Sequence, residues 1–187
     1  MERLIDSELL NWKKSSRRKP LIIRGARQVG KTYTVTAFGR ANFKNSLVFD
    51  FERNPEFRKI FEYDLQPSRI INELELASAN RIISGETLVF FDEIQECPKA
   101  LVALRYFYEE MPGLHIIAAG SLLEFALGEN SFPVGRVQFA EIYPLNFIEF
   151  QLALKNEKAV EYLSGSPKEL SESSHQFLLN QLKDYFF

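Results

Sequence analysis

Short apolar runs alternate with amphipathic segments along most of the chain. A short run that is apolar throughout is typical of a strand buried on both faces of a parallel sheet. Prolines bound two of these runs, since Pro20 precedes the first and Pro144 follows the last. The pattern therefore predicts strands over residues 21–23, 47–51, 88–91, 115–119 and 137–143.

The segments between these runs have helical patterns. Apolar residues recur at near-helical spacing over residues 2–13, a helix-like stretch runs to about residue 43, and residues 55–83 are mostly helical in pattern. Pro98 suits the first turn of a further helix to about Met111. Strands that alternate with helices are joined by right-handed crossovers and form a parallel sheet covered on both faces. We therefore expect an α/β fold with three αβα layers.

The last part of the chain has a different pattern. From residue 147 onwards it predicts one helix, a Ser/Gly/Pro break at 164–167 and a second helix. The final residues, 182–187, are still apolar and helical in pattern, as expected of a chain cut inside an element. We expect a main domain over residues 1–150 and a helical tail over residues 151–187 that begins a further domain.

Composition removes several classes of protein. The 187 residues include one cysteine and two histidines, which excludes a disulfide scaffold and a cysteine-based zinc site. No apolar run approaches the ~18 residues that span a bilayer, and the first residues lack the pattern of a signal peptide. We expect a cytoplasmic protein without a membrane partner.

Charge is distributed unevenly along the chain. Residues 1–40 hold ten Lys/Arg and three Asp/Glu. The remaining residues are acidic overall, so the net charge of the whole chain is −2. A basic first segment on an acidic body favours a localised anion site over a basic face. The basic run at 13–19 is either a nucleic-acid or phosphate contact or a solvated loop. The net charge gives no indication of nucleic-acid binding by this chain.

A phosphate-binding motif follows the first predicted strand. Residues 25–32 read Gly-Ala-Arg-Gln-Val-Gly-Lys-Thr and match G-x-x-x-x-G-K-[ST]. Gly25 and Gly30 allow the backbone N–H groups to converge on a phosphate, at the positive end of the helix that follows. Lys31 is placed to reach the terminal phosphates and Thr32 to ligate Mg²⁺.

The motif and the residue after it predict a nucleotide-binding segment over residues 25–33. Arg27 and Gln28 either contact the nucleotide or are solvated, and the pattern does not separate these alternatives. The members of the predicted segment are Gly25, Ala26, Arg27, Gln28, Val29, Gly30, Lys31, Thr32 and Tyr33.

An acidic pair ends the third predicted strand. Asp92 and Glu93 follow four apolar residues, so they emerge at the carboxyl edge of the sheet, where ligands bind in such folds. Asp92 is expected to hold Mg²⁺ through its water and Glu93 to activate the attacking water. The alternative is a solvated turn. The chain lacks the Asn-Lys-x-Asp motif, so guanine recognition of the GTPase kind has no support.

Two further residues are candidates for contact with the γ-phosphate. Ser121 follows the fourth predicted strand and is either a phosphate sensor or a helix N-cap completed by Glu124. Arg136 lies in a loop and is either an arginine finger or part of a structural salt bridge. Arg105 is the competing arginine, but the helical spacing predicts that it pairs with Glu109.

These motifs together resemble the AAA-like ATPase family AAA_14, whose members usually carry a C-terminal DUF4143 domain. The resemblance implies a P-loop fold of the ASCE branch with sheet order 5-1-4-3-2, and ATP and Mg²⁺ as ligands. It also implies roles in the site for Lys31, Thr32, Asp92, Glu93, Ser121 and Arg136. The segments that carry it are Arg24 to Thr32, Phe91 to Gln95, Ala119 to Ser121, Gly135-Arg136 and Tyr143 to Phe150.

Three functions are compatible with these residues. The first is ATP binding with Mg-dependent hydrolysis, in one chain or in a homo-oligomer. The second is a switch that binds ATP, hydrolyses it negligibly and moves a C-terminal domain, such as one that binds DNA, or an unknown protein partner. The third, a DNA-binding module with structural ATP, is disfavoured by the net charge of −2.

Overall fold

A computed structural model describes residues 3–121, 135–165 and 170–186. It contains five strands and eight α-helices in this part of the chain, with a short 3₁₀ turn, Ile94–Glu96, after the third strand. The strands are β1 (Leu21–Arg24), β2 (Asn45–Asp50), β3 (Thr87–Asp92), β4 (His115–Gly120) and β5 (Gln138–Glu141). The helices are α1 (Ile5–Lys14), α2 (Lys31–Asn42), α3 (Glu56–Lys59), α4 (Pro67–Ser78), α5 (Pro98–Glu110), α6 (Phe147–Ala153), α7 (Glu157–Ser164) and α8 (Glu172–Phe186).

All five strands form one parallel sheet in the order β2-β3-β4-β1-β5. The predicted order 5-1-4-3-2 is therefore confirmed. The strands β3 and β4 are buried at every position, which explains why their sequences are continuous apolar runs rather than alternating ones. The carboxyl ends of β1, β3 and β4 consequently meet at one edge of the sheet.

Two apolar layers cover the two faces of this sheet. Successive side chains of a strand point to opposite faces, so Ile22 packs in one layer and Ile23 in the other. The first layer joins the sheet to α4 and α5, and it includes Phe91 and Phe107. The second joins the sheet to α1 and α2, and it includes Trp12. The predicted three-layer αβα fold is confirmed.

Two segments with helical patterns each contain two helices. The segment 55–83, which is mostly helical in pattern, contains α3 and α4, because Pro67 starts α4 after a turn in which Asp64 accepts the N–H of Gln66. The first helix of the tail ends at Ala153, and α7 starts after Asn156, whose side chain accepts the N–H of Ala159. Both breaks depend on short side-chain contacts that hydrophobic periodicity does not report.

The contacts divide the chain into two compact units, Ile5–Ile142 and a second unit of Met1–Leu4 with Tyr143–Phe187. The first unit holds the sheet. The second brings Arg3 next to α6, where its guanidinium pairs with Glu149. The predicted boundary at residue 150 falls within this second unit. Among the described residues, no helix is long and apolar enough to cross a membrane.

Candidate nucleotide-binding site

The predicted phosphate loop joins β1 to α2 at the carboxyl edge of the sheet. Gly30 precedes α2 with φ of 93°, in the left-handed region that glycine adopts without steric cost. The helix is established at once, since the N–H of Thr34 donates to Gly30 O at 2.9 Å. The unpaired N–H groups of this first turn and the positive end of the helix dipole therefore face the loop.

Gly25 permits a close approach to the end of the neighbouring strand. A Cβ atom at this position would lie 2.3 Å from the carbonyl oxygen of Ile142, which is far too close. The sequence motif explains this glycine by the approach of a phosphate, and the structure adds contact with the chain after β5. Any larger residue would move either the loop or this segment.

Lys31 is folded into its own loop. Its ammonium donates to the carbonyl oxygens of Gly25 and Ala26 at 2.9 and 2.8 Å, and the residue is only 6% exposed. Burial lowers the pKa of Lys31, whereas the charges of Glu93 and then Asp92 act to raise it. The ammonium thus lies against the backbone of its own loop, within electrostatic reach of both carboxylates.

Asp92 is the buried end of β3, with 2% of its surface exposed. Its carboxylate accepts a hydrogen bond from the N–H of Glu93 at 3.1 Å. Burial raises the pKa of Asp92, and an interaction with the Thr32 hydroxyl opposes that effect. A hydroxyl and a carboxylate are hard oxygen donors of the kind that Mg²⁺ binds, so these residues fit that ion.

Glu93 follows directly and adopts an unusual backbone conformation. Its φ of 49° and ψ of 49° place it in the left-handed region, which a residue with a side chain disfavours. Its carboxylate accepts a hydrogen bond from the Gln95 amide, with 2.6 Å between Nε2 and Oε2. The structure thus brings together four predicted site residues, namely Lys31, Thr32, Asp92 and Glu93.

Ser121 lies at the same edge. It follows β4, whose last residue, Gly120, is paired in register with Arg24 immediately before the loop. The Ser121 hydroxyl is buried and has no hydrogen-bond partner within the part of the chain that the structure describes. A buried, unpaired hydroxyl at this position fits the predicted sensor role. The alternative capping interaction involves Glu124, which lies outside the described residues.

Arg136 lies at the opposite edge of the sheet. It precedes β5, which runs parallel to β1, and its neighbour Gly135 accepts a hydrogen bond from Lys19, which precedes β1. Arg136 Nε forms a salt bridge with Glu109 Oε1 at 2.8 Å. A structural salt bridge of this kind is the alternative to an arginine finger. The structure does not bring Arg136 to the phosphate loop of its own chain. The predicted pairing of Arg105 with Glu109 is confirmed, at 3.1 Å.

The remaining loop residues divide between core and solvent. Val29 is buried in the layer that α1 and α2 form on the sheet, whereas Tyr33 is more than half exposed. Arg27 makes a loose, solvent-exposed ion pair with Glu52 at 3.8 Å. Gln28 has φ of 64° and so shapes the loop through its backbone. Among these residues, Arg27, Gln28 and Tyr33 are exposed at the loop.

Sequence reasoning gave no role to Gln95, although the residue belongs to one of the segments that carry the family resemblance. Gln95 lies two residues after Glu93 in the chain, and this proximity is the signal in the sequence that points to it.

His115, which the sequence places at the start of a strand, is buried and structural, with Phe43 and Trp12 at its ring edges. Within the described ranges, no group of three or more His, Cys, Asp or Glu residues forms a protein-only metal site.

Comparison with known proteins agrees with this geometry. The chain matches the family AAA_14, described as an AAA domain, over residues 17–151. No curated protein matches it. One similar solved structure is Drosophila ORC bound to DNA, at 16% identity and a TM-score of 0.54, with 81% of this chain and 45% of that chain covered. Another is the Aeropyrum pernix ORC1 protein in complex with DNA, at 12% identity and a TM-score of 0.51, with 85% and 50% covered.

These two likenesses show the fold alone, and the chain spans about half the length of each solved chain. The family match is more informative, because it extends from the basic run before β1 to α6 and includes the whole phosphate loop, the acidic pair and Ser121. The chain has a P-loop αβα fold and belongs to the AAA_14 family of AAA domains.

Proposed function

We propose that this chain binds ATP with Mg²⁺ and hydrolyses it at the carboxyl edge of its sheet. The family and the fold support nucleotide binding in general. The observation that carries the finer proposal is the position of the buried Asp92 carboxylate at the end of β3, within electrostatic reach of the buried ammonium of Lys31 and of the Thr32 hydroxyl. A phosphate-binding cation and a pair of Mg²⁺-type ligands are thus adjacent, and Glu93 is the next residue in the chain.

Binding would use groups that the loop already presents. The backbone N–H groups of residues 25–32 would surround the phosphates, and Lys31 would exchange the carbonyls of Gly25 and Ala26 for phosphate oxygens. Thr32 and Asp92 would hold Mg²⁺. That ion would supply positive charge that offsets the charge of the phosphates. Exchange of partners by Lys31 keeps its buried charge compensated throughout.

Hydrolysis would begin with a water beside Glu93. The carboxylate takes one proton from this water while the water oxygen bonds to the γ-phosphorus. The bond between the γ-phosphorus and the bridging oxygen breaks, and ADP and inorganic phosphate leave. Lys31 offsets the charge that develops on the phosphate oxygens, and the Ser121 hydroxyl donates to one of them.

The test is phosphate release from Mg-ATP by the purified chain, with ATP binding measured separately through a fluorescent ATP analogue. Lys31→Ala is expected to abolish both signals, whereas Glu93→Gln is expected to keep binding and to lose most of the release, with a measurable residue left. Lys44→Ala is the matched control, because Lys44 is exposed and pairs with Glu86 on the surface. Lys31-dependent binding without any release would contradict hydrolysis and favour the nucleotide-dependent switch.

The same assay, run over a range of protein concentrations, tests a homo-oligomer. Arg136 lies away from the loop of its own chain, so it could act as an arginine finger only on a second copy. Release per chain that rises with concentration, and that falls again in Arg136→Ala, would support that arrangement. Constant release per chain would mean that one copy contains the complete site.

A further inference from the structure

The turn after β3 contains a hydrogen bond that ATP binding does not require. Gln95 Nε2 donates to Glu93 Oε2 at 2.6 Å, so the amide is attached to the carboxylate that the proposed reaction uses as its base. The amide oxygen of Gln95 is buried and has no partner within the described residues. Among those residues, the bond to Glu93 is therefore the one that fixes this amide.

The backbone of the turn sets this pairing. Ile94, between the two residues, is fully buried in the layer below α4 and α5, so Glu93 and Gln95 flank one anchored side chain. The turn is closed by hydrogen bonds from Glu96 N–H to Glu93 O and from Cys97 N–H to Ile94 O, at 3.0 and 2.9 Å. The left-handed conformation of Glu93 is thereby held in place.

We propose that Gln95 is a positioning residue for hydrolysis, whose amide fixes the direction of the Glu93 carboxylate toward the phosphate loop. A carboxylate that accepts through Oε2 keeps Oε1 to accept the proton of the attacking water. A glutamate side chain has three rotatable bonds, so one strong tether removes much of its freedom before the reaction begins. This inference rests on the proposed function, since it concerns the same base.

The charge at the loop agrees with this direction. Burial is the largest influence on the pKa of Lys31 and lowers it, and among the opposing carboxylates Glu93 acts more strongly than Asp92. The Glu93 charge thus reaches the ammonium of Lys31.

The experiment measures steady-state kcat and KM for Mg-ATP in the full chain and in variants of the turn. We expect Gln95→Ala to lower kcat by about tenfold or more, since small misplacements of a catalytic group have effects of this size. KM, Tm and the affinity for a fluorescent ATP analogue should stay unchanged. Gln95→Glu, which keeps the shape but removes the donor, should lower kcat at least as much. Glu96→Gln, in the same turn and paired with Arg58, is the control.

A double variant separates action through Glu93 from other roles. If Gln95 acts only on that carboxylate, Gln95→Ala should cause no further loss of release in a Glu93→Gln background. A further loss there, an unchanged or raised kcat in Gln95→Ala, or an effect on KM alone would each overturn the inference. Release that is no higher in the natural chain than in Lys31→Ala would instead overturn the proposed hydrolysis, and this inference with it.

Discussion

Arg3 Nε lies 2.9 Å from Glu149 Oε1, and both side chains are only 6% exposed. The same carboxylate accepts the N–H groups of Leu4 and Asn146, and Arg3 also donates to the carbonyl of Tyr143. Burial alone would raise the pKa of Glu149, but these hydrogen bonds outweigh it and the pKa is lowered. One carboxylate thus joins the first described residues to the start of α6.

The buried pair of Arg3 and Glu149 predicts that a single substitution strongly lowers the stability of the protein. Glu149→Gln should destabilise the protein by about 3–5 kcal/mol, because it leaves the Arg3 charge buried without its partner. Urea denaturation of the full chain measures the effect. Glu86→Gln is the matched control, since Glu86 forms an exposed pair with Lys44 and such pairs contribute about 0–1 kcal/mol. Equal effects of the two substitutions would contradict a stabilising role for the buried pair.

His115 predicts a specific loss of stability in acid. Burial, together with the charges of Arg18 and Lys13, lowers its pKa from 6.5 to about 4. The folded protein therefore keeps this ring neutral while the unfolded chain protonates it. Stability linked to His115 is complete above pH 6.5 and is lost as pH falls from 6.5 toward 4, by at most about 3 kcal/mol.

The measurement is the free energy of unfolding across this pH range. His115→Phe keeps an aromatic ring beside Phe43 and Trp12 and should have a flatter acid limb than the natural chain. His175→Phe, at an exposed position of α8, serves as the control because the chain has no third histidine. Identical slopes in the natural chain and in His115→Phe would show that the ring does not account for the acid dependence.

Asp92 predicts a conflict between stability and ligand binding. Its pKa is raised chiefly by burial, so its ionised form is unfavourable in the folded protein without a ligand. The penalty is absent below the ordinary pKa and grows as pH rises through the raised pKa. Asp92→Asn should therefore raise Tm at neutral pH, by about 2–4 °C for each kcal/mol recovered, and the gain should vanish toward pH 4.

The same substitution should remove the effect of Mg²⁺ on nucleotide binding. Differential scanning calorimetry with and without Mg-ATP measures both properties in one series. Glu86→Gln is a useful control, since Glu86 forms an exposed pair with Lys44 on the surface. A lower Tm in Asp92→Asn without ligand would mean that the carboxylate is stabilising and would contradict this interpretation.

Much of this fold could be predicted because its signals are local. Continuous apolar runs such as 88–91 identify strands buried on both faces, and the carboxyl ends of such strands lie at one edge. That reasoning places Asp92 beside Lys31 without a structure. The breaks at Pro67 and Asn156 were missed, since they depend on single caps rather than on periodicity.

Arg136 shows where the same reasoning was incomplete. The residue directly precedes a predicted strand, and the residue before a parallel strand lies at the amino edge, opposite the phosphate loop. Its distance from Lys31 was therefore implicit in the sequence. The pairing of Arg136 with Glu109 and that of Arg3 with Glu149 were not, because contacts between residues this far apart in the chain depend on how the elements pack.

Substitution of Gly25 distinguishes two reasons for a glycine, namely close contact with the Ile142 carbonyl and a strained backbone conformation. Gly25→Ala places a Cβ 2.3 Å from Ile142 O, so the loop or the chain after β5 must shift. We expect a loss of ATP-analogue affinity of at least tenfold and a lower Tm. Gly85→Ala is the matched control, since Gly85 also has a positive φ, of 80°, but its Cβ would meet nothing within 4 Å. Gly85→Ala should lower the free energy of unfolding by only about 1–2 kcal/mol, because of its left-handed backbone, and should leave the affinity for the ATP analogue unchanged. Equal losses of affinity in the two variants would mean that contact with Ile142 does not shape the phosphate loop.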